Sequence, residues 1–258
     1  MTTPGNVIHA RAVIAPCHLR GLSPGAATVV DGGWLMLGAA ARVEVAHAPV
    51  WNPPLVQPGE AAEPRNAAVA LTTLIRGLHT RAPSSGMAPA IAHVAAAVGE
   101  PDRDIEVPLG GSELLRRVVD SALARRPDVL SLAAGLLGLG PGLTPSGDDF
   151  AGGLVFAMRA LHVAYPDRFP WDEEGASRML VQAREQTNAI SAELLGDHMR
   201  GRGAGPLHDV AEAVLTAQSA ARLTSAAEGL MRIGRTTGWD ILTGYCAGML
   251  PLCFHSRN

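Results

Sequence analysis

The 258 residues, 47% hydrophobic and 17% charged with a formal net charge of −3, are enough chain for one large domain or two modest ones. No stretch reaches the ~18 uninterrupted apolar residues of a spanning helix, and the near-neutral charge gives no electrostatic footprint for nucleic acid, so neither a membrane nor a nucleic acid is an expected partner. All 21 basic residues are arginine, which excludes a Schiff-base lysine and a Walker-type phosphate loop and leaves arginine, backbone amides or a metal to meet a substrate anion.

Residues 1–64 read as β-rich. Val7 to Ile14 alternate, a turn-rich stretch covers Gly21 to Gly25, and Ala27–Val30, Trp34–Leu37 and Arg42–His47 follow as short strands. Strands spaced about ten residues apart with turn signals between them suggest a small barrel- or sandwich-like unit. It closes near Trp51-Asn52-Pro53. The expected class is α+β, with a mainly α-helical domain over residues 65–258.

From Asn66 the apolar period becomes helical, with further helices expected near Ile91–Val98, Glu113–Arg125 behind Ser112, and Val129–Leu137 behind Asp128. Glu173–Leu195, Pro206–Ala217, Ser225–Arg232 with a Ser225/Glu228 capping box, and Trp239–Cys253 complete the set. The three cysteines, Cys17, Cys246 and Cys253, fit no metal or redox spacing, and the N-terminal residues lack a basic region before an apolar one. Reduced thiols in a cytoplasmic protein are the expectation.

The run Gly138–Gly153 carries the most chemistry. Gly138, Gly140 and Gly142 alternate, Pro141 stiffens them, and Thr144-Pro145-Ser146-Gly147-Asp148-Asp149 leads into a helix whose apolar face is Phe150, Leu154, Met158 and Leu161. A glycine loop before a helix start leaves free amides and the positive end of the dipole on one spot, which suits an anion. The plainer reading is a helix–helix turn in which Thr144 or Ser146 caps the helix and the aspartates complement its dipole. A second copy argues for more. Thr237-Gly238-Trp239-Asp240-Ile241 aligns with Ser146-Gly147-Asp148-Asp149-Phe150, and Gly244 matches Gly153. Two such turns, Gly138–Asp149 and Thr236–Asp240, are expected to face one another.

On this reading Asp148, Asp149 and Asp240 are the catalytic candidates, ionised by the helix dipoles and able to hold Mg²⁺ or to orient an N–H group. Gly140, Gly142, Thr144, Ser146, Gly147, Thr236, Thr237 and Gly238 are the ligand-binding candidates. Asn188 and Ser191, three apart on one helix face with Arg184 a turn earlier, join them, or else form a solvated stripe. The loop Arg200-Gly201-Arg202-Gly203 between His198 and His208 reads as a mobile anion contact or plain surface. No histidine spacing suggests zinc.

The segment LGLGPGLTPSGDDFAGG at Leu137–Gly153 closely resembles the hallmark of the AllH-like family, and Thr187…Ser191 and Gly234-Arg-Thr-Thr-Gly-Trp-Asp240…Gly244 are similar to its other blocks. Thr237 replaces a usual serine and Ala151 a usual leucine. The resemblance implies a subunit of oxamate carbamoyltransferase, which interconverts oxalurate plus phosphate with oxamate plus carbamoyl phosphate. It also implies companion subunits and a small anionic substrate such as carbamoyl phosphate or oxamate. Two functions follow: a carbamoyl-transferring component, or a non-catalytic binding or assembly subunit.

Overall fold

A computed structural model describes residues 27–39, 41–48, 53–101 and 111–254, in two compact units, 1–52 and 53–258. The expected features at Val7–Ile14, Gly21–Gly25 and Trp51-Asn52, Cys17, and most of the loop before Gly111 lie outside the described residues.

In the first unit β1 (Thr28–Asp31), β2 (Trp34–Leu37) and β3 (Ala41–Glu44) form one antiparallel sheet in the order β1-β2-β3. Asp31 pairs with Trp34 across Gly32-Gly33, whose φ values of 54° and 82° fit the primed two-residue turn that matches strand twist. Arg42 lies over the Trp34 ring at 4.8 Å. The described strands make an open meander, not the expected barrel or sandwich. Among the described residues these four-residue strands have no further strand on either edge and all of β1 is exposed, so the sheet does not close into a barrel.

The second unit is helical. It comprises α1 (Pro64–His79), a 3₁₀ turn (Ala88–Ala90), α2 (Ile91–Ala97), α3 (Ser112–Leu123), α4 (Val129–Ala134), α5 (Ser146–Ala164), α6 (Glu173–Gln186), α7 (Ala189–Met199), α8 (Gly205–Leu215), α9 (Ala220–Met231), α10 (Thr237–Met249) and α11 (Pro251–Phe254). No described helix is long and apolar enough to cross a membrane.

Several expected boundaries move, each for a local reason. Asp128 does not cap α4: its carboxylate accepts from Ser121 Oγ at 2.5 Å, and the helix ends at Gly135 rather than Gly138. The expected helix Glu173–Leu195 is two. Thr187 is extended, and Asn188 restarts the chain by accepting from the Ile190 and Ser191 amides. Asn188 is thus a cap, not a stripe residue, and Arg184 belongs to the preceding helix. Ser219, not Ser225, caps α9, so Ser225 lies inside the helix and no capping box forms. Pro251 divides Trp239–Cys253 by starting α11.

Helices α5 and α10 are the centre. From Ser146 to Ala157 every residue of α5 is buried, as is every residue of α10 from Asp240 to Met249. An all-round apolar helix must be enclosed, and here α7, α9, α2 and α3 supply the walls. Glycine lets the two backbones meet. A Cβ on Gly153 would run into the Ile241 carbonyl oxygen, one on Gly244 into that of Phe150, and one on Gly248 would stand 2.5 Å from that of Leu154. These pairs keep nearly the same sequence offset along both helices. The two therefore run parallel, and both N-termini lie at one end.

Candidate functional site

At that shared end the two helix starts interlock. Neither α5 nor α10 has a side-chain cap: Pro145 stands at the cap position of α5 between Thr144 and Ser146, and Thr236 at that of α10 makes no side-chain bond to its amides. Two hydroxyls serve the opposite helix: Thr237 hydrogen-bonds Asp149, and Ser146 hydrogen-bonds Asp240. Thr144 and Thr236 add a hydroxyl to Asp149 and to Asp240 respectively, and the Thr144 and Thr237 hydroxyls are 3.4 Å apart. The expected meeting of the two turns is what the geometry shows, but as a tight crossed seam rather than an open cleft.

Both carboxyls are deeply buried, with Asp149 7% and Asp240 0% exposed. Oδ2 of each is enclosed with no hydrogen bond of good geometry. Burial pushes Asp149 up to about 8, against the pull of the Thr237 and Thr144 hydroxyls, and the neighbouring Asp240 and Asp148 carboxylates push the same way. Asp240 is raised too, again by burial, opposed by Ser146, the Met87 amide, Thr236 and the Ala88 amide. This corrects the expectation of aspartates ionised by helix dipoles. Desolvation of a carboxylate shut between two helices outweighs the dipole, whose effect on a surface group is below about 1 kcal/mol.

Asp148 faces another way. Its Oδ1 accepts from the Gly138 amide at 2.6 Å and its Oδ2 from the Thr187 hydroxyl, so it ties the glycine loop to the break between α6 and α7. The same break grips the loop tip. Asn188 Nδ2 and Ser191 Oγ both donate to the Leu143 carbonyl, at 2.8 and 3.1 Å. Gly138, Gly140 and Gly142 all have positive φ, at 78°, 115° and 101°, the region where a Cβ is costly. The amides of Gly140, Gly142, Leu143 and Thr144 have no protein acceptor among the described residues. Gly147 and Gly238 serve packing rather than a turn. A Cβ on either would strike the carbonyl of Leu136 or Leu230, so they admit the preceding helices.

Sequence reasoning missed one wall. Gly86 (φ 61°) lies against the Asp240 carboxyl, and the Met87 amide donates to Asp240 Oδ1 at 2.6 Å. The segment Pro83–Met87 read only as a loop, and a single glycine in it gave no signal of what it covers.

Asp148 is engaged elsewhere, and among the described residues no three His, Cys, Asp or Glu side chains are grouped to hold an ion. Asp149 and Asp240 alone would hold Mg²⁺ only with ligand oxygens completing the shell.

Residues 136–249 match the family model described as oxamate carbamoyltransferase subunit AllH. That segment, less than half of the chain, is similar to the AllH family. It runs from the end of α4 to the end of α10, so the AllH match takes in both helix starts, the loop between Gly138 and Thr144, and the Asn188–Ser191 grip. Neither the curated proteins nor the solved structures return a match.

Proposed function

We propose that the chain is a carbamoyl-transferring subunit of an oxamate carbamoyltransferase-like enzyme, with its ligand held at the seam between Gly138–Asp149 and Thr236–Asp240. The single observation that carries this reading is the convergence of the hydroxyls. Thr144, Ser146, Thr236 and Thr237 converge on two buried carboxyls from the starts of two central helices, and Thr236 does so from a cap position worth roughly 1 kcal/mol.

The chemistry follows from the protonation of the pair. A phosphate oxygen attacks the carbamoyl carbon of oxalurate, the C–N bond to oxamate breaks, and the leaving nitrogen needs a proton. Asp149, neutral up to about pH 8, is a general acid suited to supplying it. The proton of the attacking phosphate restores the acid, so the exchange balances without a protein nucleophile. The free loop amides at Gly140, Gly142, Leu143 and Thr144 receive the phosphate. Ser146, Thr236 and Thr237 hold the carboxyls, and Gly147 and Gly238 let the helix starts close. Asp148, Asn188 and Ser191 act as positioning residues for the loop. No step is routed through a metal.

Calorimetry with carbamoyl phosphate, with and without Mg²⁺, on the chain alone and with its companion subunits, tests this. Heat of binding that disappears in Asp149→Asn supports it; no binding in any of these settings ends it.

A second reading, in which the chain is a non-catalytic assembly subunit, has one observation in its favour. Leu143 at the loop tip is 69% exposed, and Ile190 and Leu194, one turn apart on the helix that grips the loop, are 52% and 40% exposed. Such side chains beside the proposed site suit a companion subunit that covers the loop.

A further inference from the structure

Beyond the seam, α5 continues to Arg159, ten residues past Asp149 and so about 15 Å farther along the axis. There it borders a separate cavity of about 310 Å³ whose lining includes Arg159, Trp171, Glu173, Gly196, Arg200 and Arg202. Three guanidinium groups from three parts of the chain, the body of α5, the end of α7 and the turn after it, meet one carboxylate in this lining. That carboxylate is already committed, since Glu173 Oε2 accepts from the Trp171 indole at 2.8 Å.

The arginines are held for the purpose of contact rather than left to roam. Arg159 stacks its guanidinium over Trp171 at 5.4 Å, and its Nε is buried without a hydrogen-bond partner. A buried donor with no acceptor is destabilising, and a bound acceptor removes that penalty. The turn carrying Arg200 and Arg202 is pinned at four amides: Arg200 and Arg202 to the Asp197 carbonyl, Gly201 to that of His198, and Gly203 to His208 Nε2. It is a fixed turn, not the mobile loop that its glycines suggested. Arg200 also pairs with Asp197 at 3.4 Å and suits the end of α7. Asp197 faces Arg202 as well, so Asp197 and Glu173 offset two of the three arginine charges and the cavity keeps a net positive charge, centred on Arg159.

We propose that this cavity is a second anion site, taking a small, multiply charged oxyanion: phosphate, free or as a phosphate ester. One carboxylate saturates one arginine fork, whereas a tetrahedral dianion offers acceptors to several. The cavity is wide enough for phosphate and a small organic group beyond it. The site is independent of the seam and of the reaction proposed there.

Trp171 reports on it directly. Inorganic phosphate and glycerol phosphate are titrated into the full chain at constant ionic strength, reading tryptophan fluorescence and heat. Saturable binding is expected, weakened at least tenfold by Arg159→Met, which keeps an apolar stem over Trp171, and by Arg202→Gln. The fluorescence change is lost in Trp171→Phe and kept in Asp149→Asn, which disables the seam. A tighter Kd for the ester than for phosphate assigns the site to esters, and equal values assign it to free phosphate. Absence of a saturable response to both probes overturns the proposal, as does an unchanged Kd in folded Arg159→Met and Arg202→Gln proteins.

Discussion

Five helix starts of this protein divide into two kinds. At α6, α7 and α9 the residue before the helix, Asp172, Asn188 or Ser219, turns its side chain back onto the first amides. At α5 and α10 the hydroxyls of Thr144, Ser146, Thr236 and Thr237 turn away from their own amides and toward two carboxyls. The first kind is local, and any one cap stands without the others. The second is mutual, because each half needs the other helix in place. Ordinary helix starts use their polar groups for stability. The central pair uses them to hold two buried carboxyls between two dipoles, the arrangement on which the proposed site rests.

The contrast breaks most severely at the glycines that let α5 and α10 touch. Gly153→Ala and Gly244→Ala each push a methyl group into a backbone carbonyl that cannot move without parting the helices. Each is expected to cost about 3 kcal/mol, seen as a large drop in melting temperature, and the two losses are expected to match because the contacts mirror one another. Denaturant titration of both variants checks this.

Asp149→Asn and Asp240→Asn test the chemical side. With the proposed acid removed in Asp149→Asn, phosphorolysis of oxalurate by the assembled enzyme is expected to fall by roughly 10² to 10⁴. It is expected to fall by less in Asp240→Asn, which removes the neighbouring carboxyl that helps to raise Asp149. Asp172→Ala, at an ordinary start, reverses the pattern: about 1 kcal/mol of stability goes and turnover stays. If Asp149→Asn and Asp172→Ala behave alike in the assay, the two kinds of helix start are one.

The pH dependence follows from the sign of each shift. Asp149 is raised from 3.8 to about 8 by burial, so the native state keeps a proton the unfolded chain has lost. Stability therefore falls as pH rises through that window, by at most about 1.4 kcal/mol per pH unit per proton. His198 and His208, lowered from 6.5 to about 4 by burial, act oppositely, and their contribution is lost as pH falls from 6.5 toward 4. Between pH 6.5 and 8 the acid acts without that opposition. Thermal unfolding across that interval is expected to show a decline in the natural protein and a flatter profile in Asp149→Asn.

The smallest effect belongs to the loop grip. Asn188→Ala loses a cap worth about 1 kcal/mol and leaves the Leu143 carbonyl held by Ser191 alone. Because the proposed phosphate site lies on that loop, KM for phosphate is expected to rise severalfold with kcat nearly unchanged. Steady-state kinetics over a range of phosphate concentrations separates the two.

Much of this site is legible in the chain itself. The repeat of hydroxyl, glycine, aspartate and a second glycine at Ser146–Gly153 and Thr237–Gly244 survives as residue identity, and parallel contact between the two copies follows from it. What escaped depends on distance and enclosure. Dipole reasoning at Asp149 had the wrong sign because burial depth is a property of the assembled helices. Asp148 read as a twin of Asp149, yet one residue along a helix is a rotation of about 100°, enough to aim it at Gly138 and Thr187 instead. Gly86 is one glycine among 29, and nothing in its neighbours announces Asp240. In the first unit short strands at regular spacing, Val7–Ile14 among them, suggested a barrel or sandwich, but spacing could not show that the described strands make an open meander.

The crossed hydroxyls carry one more consequence, for how the protein breathes. Local opening is cheap where few bonds must break. The amides of Gly140, Gly142, Leu143 and Thr144 have no protein acceptor among the described residues, although Asp148, Asn188 and Ser191 hold the loop that carries them. Amide protons at Asp149 and Asp240 are different, since exposing either requires two central helices to separate. In hydrogen exchange they are expected to follow the slowest, whole-unit opening, within a few residues of loop amides that exchange almost at once. Fast and slow amides thus lie side by side at one end of the helix pair.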